Sequence, residues 1–158
     1  MDWHSVRQSF ELSIQHFTDR SVKVLSVARE KAKELDHTAI TPEHVLLAFA
    51  EVEHGPGRIV LERLGIHLEQ HLAELKALAS IPPNQPMKAK LLFDSATESV
   101  LQQSKKQAKS LHHDYVGTEH LVLGLLASDT TATAKFLIYH GVTLDSFREE
   151  LHRFLTME

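Results

Sequence analysis

The chain has 158 residues, 42% hydrophobic and 24% charged, with a formal net charge of -4, the make-up of one globular domain or two small ones. Its charges form no long run of either sign, which argues against a nucleic-acid footprint or an anionic membrane surface as partner. The lack of cysteine excludes a disulfide scaffold, a thiolate metal site and a cysteine nucleophile, and it fits a reducing compartment.

Residues 1–16 carry Asp2 and Glu11 and lack the continuous apolar stretch of a secretory signal, so the expected location is the cytoplasm. Trp3, Val6, Phe10, Ile14 and Phe17 recur at spacings of three and four, as on one helical face. This predicts an extra N-terminal helix packed on the domain, read as a stabilising extension rather than a hook for a partner.

From Phe17 to Leu75 the chain is matched without a gap by Phe93 to Leu151, at an offset of 76 positions. Phe17/Phe93, Leu25/Leu101, Ala32/Ala108, His37/His113, Glu43/Glu119, His44/His120 and Gly65/Gly141 are identical pairs. This is an internal duplication. With only two copies, the natural assembly is a pair of small helical units about a pseudo-twofold axis. The expected organisation is an extension over 1–16, a first copy over 17–75, a Pro-rich linker over 76–92, a second copy over 93–151 and a tail over 152–158.

Each copy predicts four helices. The first begins at Thr18, with Phe17 as a staple residue, and carries Leu25, Ala28, Ala32 and Leu35 inward; its counterpart presents Leu101, Ser104, Ala108 and Leu111. The second is Ile40-Thr41-Pro42-Glu43-His44-Val45-Leu46-Leu47-Ala48-Phe49-Ala50, returning as Val116-Gly117-Thr118-Glu119-His120-Leu121-Val122-Leu123-Gly124-Leu125-Leu126. Each apolar segment is too short for a membrane span and too continuous for one amphipathic face. A buried strand competes, but Leu and Ala outnumber β-branched residues, and Thr41-Pro42 reads as an N-cap followed by proline at the first helical position. Both are therefore read as buried central helices.

Gly55-Pro56-Gly57 and Ser128-Asp129-Thr130-Thr131 end these helices. A third, short helix carries Ile59, Val60, Leu61 and Leu64, or Phe136, Leu137 and Ile138, and stops at Gly65 or Gly141. The fourth carries Leu68, Leu72 and Leu75, or Leu144, Phe147, Leu151 and Leu155, with Thr143 as an N-cap. Between the copies, Ser80-Ile81-Pro82-Pro83-Asn84-Gln85-Pro86 reads as a linker, because its prolines remove donors and disfavour helix in their predecessors. The expected class is all-α: two pseudo-twofold-related four-helix repeats, eight helices in all, a ninth in the extension, and no sheet.

Phe17-Thr18-Asp19-Arg20, Leu35-Asp36-His37, Ile40-Thr41-Pro42-Glu43-His44-Val45-Leu46-Leu47 and Leu64-Gly65-Ile66, with the run from Tyr115 to Leu126 in the second copy, resemble the duplicated Clp N-terminal domain. That domain stands at the front of the Clp (Hsp100) ATPases. Val-Gly-Thr-Glu-His in the second copy is most similar to the ClpC branch. The resemblance implies a non-catalytic recognition domain that receives adaptor proteins and protein substrates for a Clp ATPase ring, in cis or in trans. The chain has no Gly-x-x-x-x-Gly-Lys-Ser/Thr phosphate loop, which agrees with that expectation, and no cofactor is expected.

In ClpC-type domains the glutamate of each Gly-Thr-Glu-His motif takes part in binding phosphoarginine, a degradation mark. The resemblance places that role here on Glu119 and Glu43, with Thr18 adding a hydroxyl. A carboxylate can hold the guanidinium side by a charge-assisted pair while free N–H groups at a helix start hold the phosphate. Asp94 stands where Thr18 stands in the first copy, and a carboxylate there repels phosphate while serving as an N-cap. Read along the sequence, each copy keeps half of the favourable set. A capping role alone explains both glutamates and outweighs the ligand reading on sequence, since the macrodipole favours an acid in the first turn of any helix.

Twelve histidines raise the question of a metal. His67 and His71 stand four apart, a spacing that can present two imidazoles to one ion, but no third ligand is evident and the expected reading is a solvated surface pair with no metal. His37/His113 and His44/His120 recur at equivalent positions, implying a structural task at the turn and at the central helix start. Two further functions compete with recognition. One is a stand-alone accessory subunit that docks on and regulates a Clp ATPase or peptidase. The other is a histidine-dependent metalloenzyme, against which the absence of His-Glu-x-x-His counts.

Overall fold

Thr18 starts the first helix, its hydroxyl accepting the N–H of Ser21 at 3.2 Å, and the chain then runs as α1 over Asp19–Glu34. In the computed structural model of the protein, residues 14–83 and 91–157 are described. The helix expected over residues 1–16 lies largely outside them, and Ile14 to His16 form a turn. After α1 come α2 (Pro42–Val52), α3 (Pro56–Arg63), a 3-10 turn (Leu68–His71), α4 (Leu72–Ala79), α5 (Ser95–Ser110), α6 (Thr118–Ala127), α7 (Ala132–Tyr139) and α8 (Leu144–Thr156). The described residues thus form eight α-helices and no strand, an all-α fold.

The caps expected from sequence form. Thr41 accepts from the N–H of His44 with Pro42 at the first helical position, and Thr143 accepts from that of Ser146. Gly65 and Gly141 end α3 and α7 with φ of 96° and 93°, the left-handed region where a glycine has no Cβ to clash. Asp36 and His112 take the same region, at φ 55° and 61°, after α1 and α5. This early left-handed exit corrects one expectation. Leu35 is the C-cap residue of α1 and is 39% exposed, turned off the inward face on which Leu25, Ala28 and Ala32 are buried.

Two isolated parallel bridges define how the copies meet, Phe17 with Val116 and Ile40 with Phe93. The duplication equates Phe17 with Phe93 and Ile40 with Val116, so each bridge is the other with the copies exchanged, as a pseudo-twofold axis requires. Helices α2 and α6 occupy the middle. Each is covered by its own copy's first helix, α1 on α2 and α5 on α6, and by the other copy's third helix, α7 on α2 and α3 on α6. Covering from both copies explains why α2 and α6 are apolar nearly all round. Val45, Leu46, Phe49, Leu121, Val122, Leu123 and Leu125 are fully buried in one continuous core.

Other boundaries shift modestly. The last helix of the first copy opens as a 3-10 turn at Leu68 and runs to Ala79, past the expected edge at Leu75. In the second copy α8 runs to Thr156 and includes Leu155, as its spacing predicted, so most of the tail expected over 152–158 is helix. His67 and His71 do not form a pair on one helical face, because the 3-10 turn intervenes. His67 lies 3.8 Å from Glu69, and His71 packs on rings of the second copy.

Candidate functional site

The start of each first helix sits on the other copy. The Thr18 N–H donates to the Val116 carbonyl at 3.0 Å, and the Ser21 hydroxyl donates to the same oxygen at 2.7 Å. Val116 precedes Gly117 and the first turn of α6, which carries Glu119. The start of α1 is therefore tied to the helix start that carries Glu119, not to the one that carries Glu43. On the opposite side, the Asp94 N–H donates to the Ile40 carbonyl at 2.9 Å and the Thr97 hydroxyl does so at 2.9 Å, which brings Asp94 to Thr41, Pro42 and Glu43. The halves that each copy keeps along the sequence are thus joined across the copies. One end combines Thr18 with Gly117-Thr118-Glu119, and the other combines Asp94 with Thr41-Pro42-Glu43.

The two glutamates also differ. Glu43 is half-buried, whereas Glu119 is 3% exposed. The difference starts at the N-cap. A Cβ built on Gly117 would collide with the Glu119 carboxylate, so glycine leaves room for the acid to fold back over the helix start; Thr41 holds that position in the first copy. Burial pushes the Glu119 carboxyl above the usual carboxylate range and the nearby Glu53 adds to the rise, while a hydrogen bond from its own backbone N–H works against them.

Glu53 went unremarked in the sequence because its surroundings are tertiary. It ends α2, is 2% exposed, and accepts the backbone N–H groups of Gly55 and Arg58. Across the copies, the Gly57 N–H donates to the Thr118 hydroxyl at 3.1 Å. A cleft of about 340 Å³ opens beside the first turn of α1, lined by Asp19, Arg20, Lys23, Val52, Glu53 and His54. Arg20 and Lys23 on α1, with Asp19 beside them, thus share this cleft with the buried Glu53 at the end of α2.

Beneath each helix start lies a histidine pair. His37 Nδ1 is 2.8 Å from His44 Nε2, and His113 Nδ1 is 2.8 Å from His120 Nε2. The Thr41 N–H donates to His44 Nδ1 and the Gly117 N–H to His120 Nδ1, so both Nδ1 atoms accept and each Nε2 carries the proton donated to its partner. Burial, with the neighbouring histidine adding, holds His44 and His120 down at about 4, neutral near pH 7. This is the structural task expected of the recurring histidines: each pair ties the preceding turn to its central helix.

Two groups of side chains have metal-ligand character among the described residues. Glu62, His67 and Glu69 are exposed, and both acids pair with Arg58. His71, Glu74 and His140 form the other, drawn from both copies.

With this geometry in view, comparison with known proteins gives consistent results. The family described as Clp repeat (R) N-terminal domain matches residues 16–140 and 92–158. The chain is 34% identical over 139 residues to the negative regulator of genetic competence ClpC/MecB of Bacillus subtilis (strain 168), covering 88% of this chain and 17% of that protein. The chain thus corresponds to less than a fifth of the relative's length. The Hsp104 N-terminal domain from Candida albicans superposes with a TM-score of 0.73 at 19% identity, covering 91% of this chain and 94% of that one. A ClpV N-domain in complex with a VipB peptide superposes at 0.69 with 17% identity, covering 89% and 90%. Duplication, cross-copy helix starts and family match agree: the chain belongs to the Clp repeat (R) N-terminal domain family, and its relatives include the ClpC type.

Proposed function

We propose that the protein is a non-catalytic recognition domain of the Clp machinery, which receives adaptor proteins and protein substrates for a Clp ATPase ring and binds phosphoarginine-marked segments. The observation that carries the finer part is the bonding of the α1 start, through the Thr18 N–H and the Ser21 hydroxyl, to the Val116 carbonyl just before the helix start that bears Glu119. The first-turn N–H groups at the start of α1, with Arg20 and Lys23 close by, suit a phosphate; the Thr18 hydroxyl, which accepts the Ser21 N–H and lies 2.6 Å from the Ser21 hydroxyl, adds to them only by turning away from Ser21. Glu119 and Glu53 suit the guanidinium that follows it. Burial, and after it the nearby Glu53, makes ionisation of Glu119 harder, and a cation bound beside them gains by favouring the charged carboxylate.

The other end suits the ligand less. The Asp94 carboxylate already accepts the Thr97 N–H at 2.7 Å and places a negative charge where phosphate would sit. Peptide binding at large is supported by the ClpV N-domain seen with a VipB peptide. No single described helix is long and apolar enough to cross a membrane. With the cysteine-free composition, this supports a cytoplasmic reading.

Calorimetric titration with free phosphoarginine, with arginine as control, tests the proposal. The expected result is one site per chain, lost in Glu119→Ala and retained in Glu43→Ala. No heat from the folded wild type overturns phosphoarginine recognition, and loss in Glu43→Ala alone overturns the assignment to the Thr18 end.

A further inference from the structure

Where the 3-10 turn before α4 meets the C-terminus of α7, three ligand-type side chains from the two copies converge. His71 ends the turn, Glu74 lies in the first turn of α4, and His140 caps α7. His140 Nε2 is 3.5 Å and His71 Nδ1 is 3.9 Å from the same oxygen, Glu74 Oε2, and all three donor atoms lie within 4.8 Å of one another. His140 Nε2 is shielded from solvent and makes no hydrogen bond, despite its closeness to that oxygen. An unsatisfied ring nitrogen facing an acid and a second imidazole is costly unless something sits between them.

The surroundings sharpen the point. Phe136 packs edge-on against His71 at 5.8 Å and tilted against His140 at 4.5 Å, so the two imidazoles, 4.3 Å apart between centroids, are held by an aromatic wall. The duplication equates His71 with Phe147 and His140 with Leu64, both packed on the core. At the related place the fold is therefore satisfied with apolar side chains, and packing alone does not demand this histidine pair. Glu74 is 51% exposed, which leaves its side of the group open to an entering ion.

We propose that His71, Glu74 and His140 bind one divalent transition-metal ion of the Zn²⁺ type, which clamps the end of the first copy to the second. Two imidazoles and one carboxylate form a borderline-soft set that suits Zn²⁺ rather than Mg²⁺ or Ca²⁺, with the remaining positions open to water or a partner's side chain. Zn²⁺ ligand bonds of about 2.0–2.2 Å place tetrahedral donors roughly 3.3–3.6 Å apart, so the group closes on an ion by small side-chain rotations. Sequence alone offers no such set, because His140 belongs to the other copy.

The test is titration of the metal-free protein with Co²⁺, read by its visible ligand-field absorption, followed by Zn²⁺ competition with a chromophoric chelator and Mg²⁺ as control. One ion per chain is expected, with the intense Co²⁺ bands of a four- or five-coordinate nitrogen and oxygen site. His71→Gln and His140→Gln each weaken binding by at least about tenfold, since loss of an outer-shell contact alone costs that much. His67→Gln leaves binding unchanged. Both imidazoles are surface-accessible in part, with 26% and 20% side-chain exposure, so the glutamine variants are expected to keep the helical circular dichroism of the wild type. Absence of binding by the wild type overturns the proposal. So does binding that survives both substitutions, or that is lost in His67→Gln instead. If a variant fails to fold, the wild-type Co²⁺ spectrum decides, and weak octahedral bands alone count against the site.

Discussion

Acid should weaken this fold through the two buried histidines of the central helices. His44 and His120 are 0% exposed and titrate at about 4 instead of the ordinary 6.5. In the unfolded chain both take up protons near 6.5; in the folded one they resist until about 4. The unfolded state thus binds more protons throughout that window, and stability falls as pH drops through it. Above 6.5 the stability is fully present. A displacement of this size is worth about 3 kcal/mol per histidine at the acid end, and at pH 5 the two together have lost about 4 kcal/mol. Domains of this size are stable by only about 5–15 kcal/mol, so the effect is large.

The structural cause can be isolated. Protonating His44 puts a hydrogen on Nδ1, where it confronts the Thr41 N–H that Nδ1 accepts at 2.9 Å; the Gly117 N–H confronts His120 likewise at 2.8 Å. Asparagine keeps an acceptor for that N–H but does not titrate. Glu119 works in the opposite sense, since a carboxyl raised by burial binds its proton more readily when folded, so wild type alone does not isolate the histidines. Urea unfolding followed by circular dichroism at pH 7, 6 and 5 should show wild-type stability falling steeply. His44→Asn and His120→Asn should each remove about half of the histidine-dependent slope, with the double variant removing nearly all of it. Equal slopes in wild type and double variant would refute the reasoning.

Close packing between α5 and α6 gives a second expectation. A Cβ on Gly124 would stand 2.5 Å from the Val100 carbonyl oxygen and would also strike the Ser104 hydroxyl, so Gly124→Ala should cost about 1–3 kcal/mol in urea unfolding. The first copy holds Ala28 and Ala48 at these positions, so adding Ser104→Ala should recover part of the loss. Relief of backbone strain gives a third. His112 sits at φ 61°, and His112→Gly should raise stability by up to about 1 kcal/mol in the same assay, the gain being limited by the greater freedom of glycine in the unfolded chain.

Those features visible in the sequence are local ones. Thr18, Thr41 and Thr143 declare helix starts by chemistry confined to a single turn, and Gly65 and Gly141 declare ends by backbone freedom. The duplication extended these signals, because every cap or break in one copy could be checked against its partner 76 positions away. Features that were missed depend on the backbone just past a helix end or on groups that only folding brings together. Leu35 obeys the spacing of its helix but leaves the inward face because Asp36 turns left-handed. Glu53 looks like any acid at a helix end until Gly55, Arg58 and Glu119 surround it. His140 meets His71 and Glu74 only across the copies, so no spacing rule connects it to His71.

The crossing of helix starts changes what duplication means for this fold. Two copies in series suggest two sites, each carried by its own unit and each able to act alone. Here Val116 of the second copy fixes the start of α1, and Ile40 of the first fixes the start of α5. Each central helix also buries part of its surface under the other copy's third helix. Neither end of the molecule is therefore built from one copy. Sequence differences between the copies, such as Thr18 against Asp94 and Thr41 against Gly117, consequently recombine. The Thr18 start of the first copy is tied to the glycine-led helix start of the second, and the Asp94 start of the second to the threonine-led helix start of the first. A nearly symmetric scaffold has thereby been given two unlike ends by substitutions that leave its packing intact.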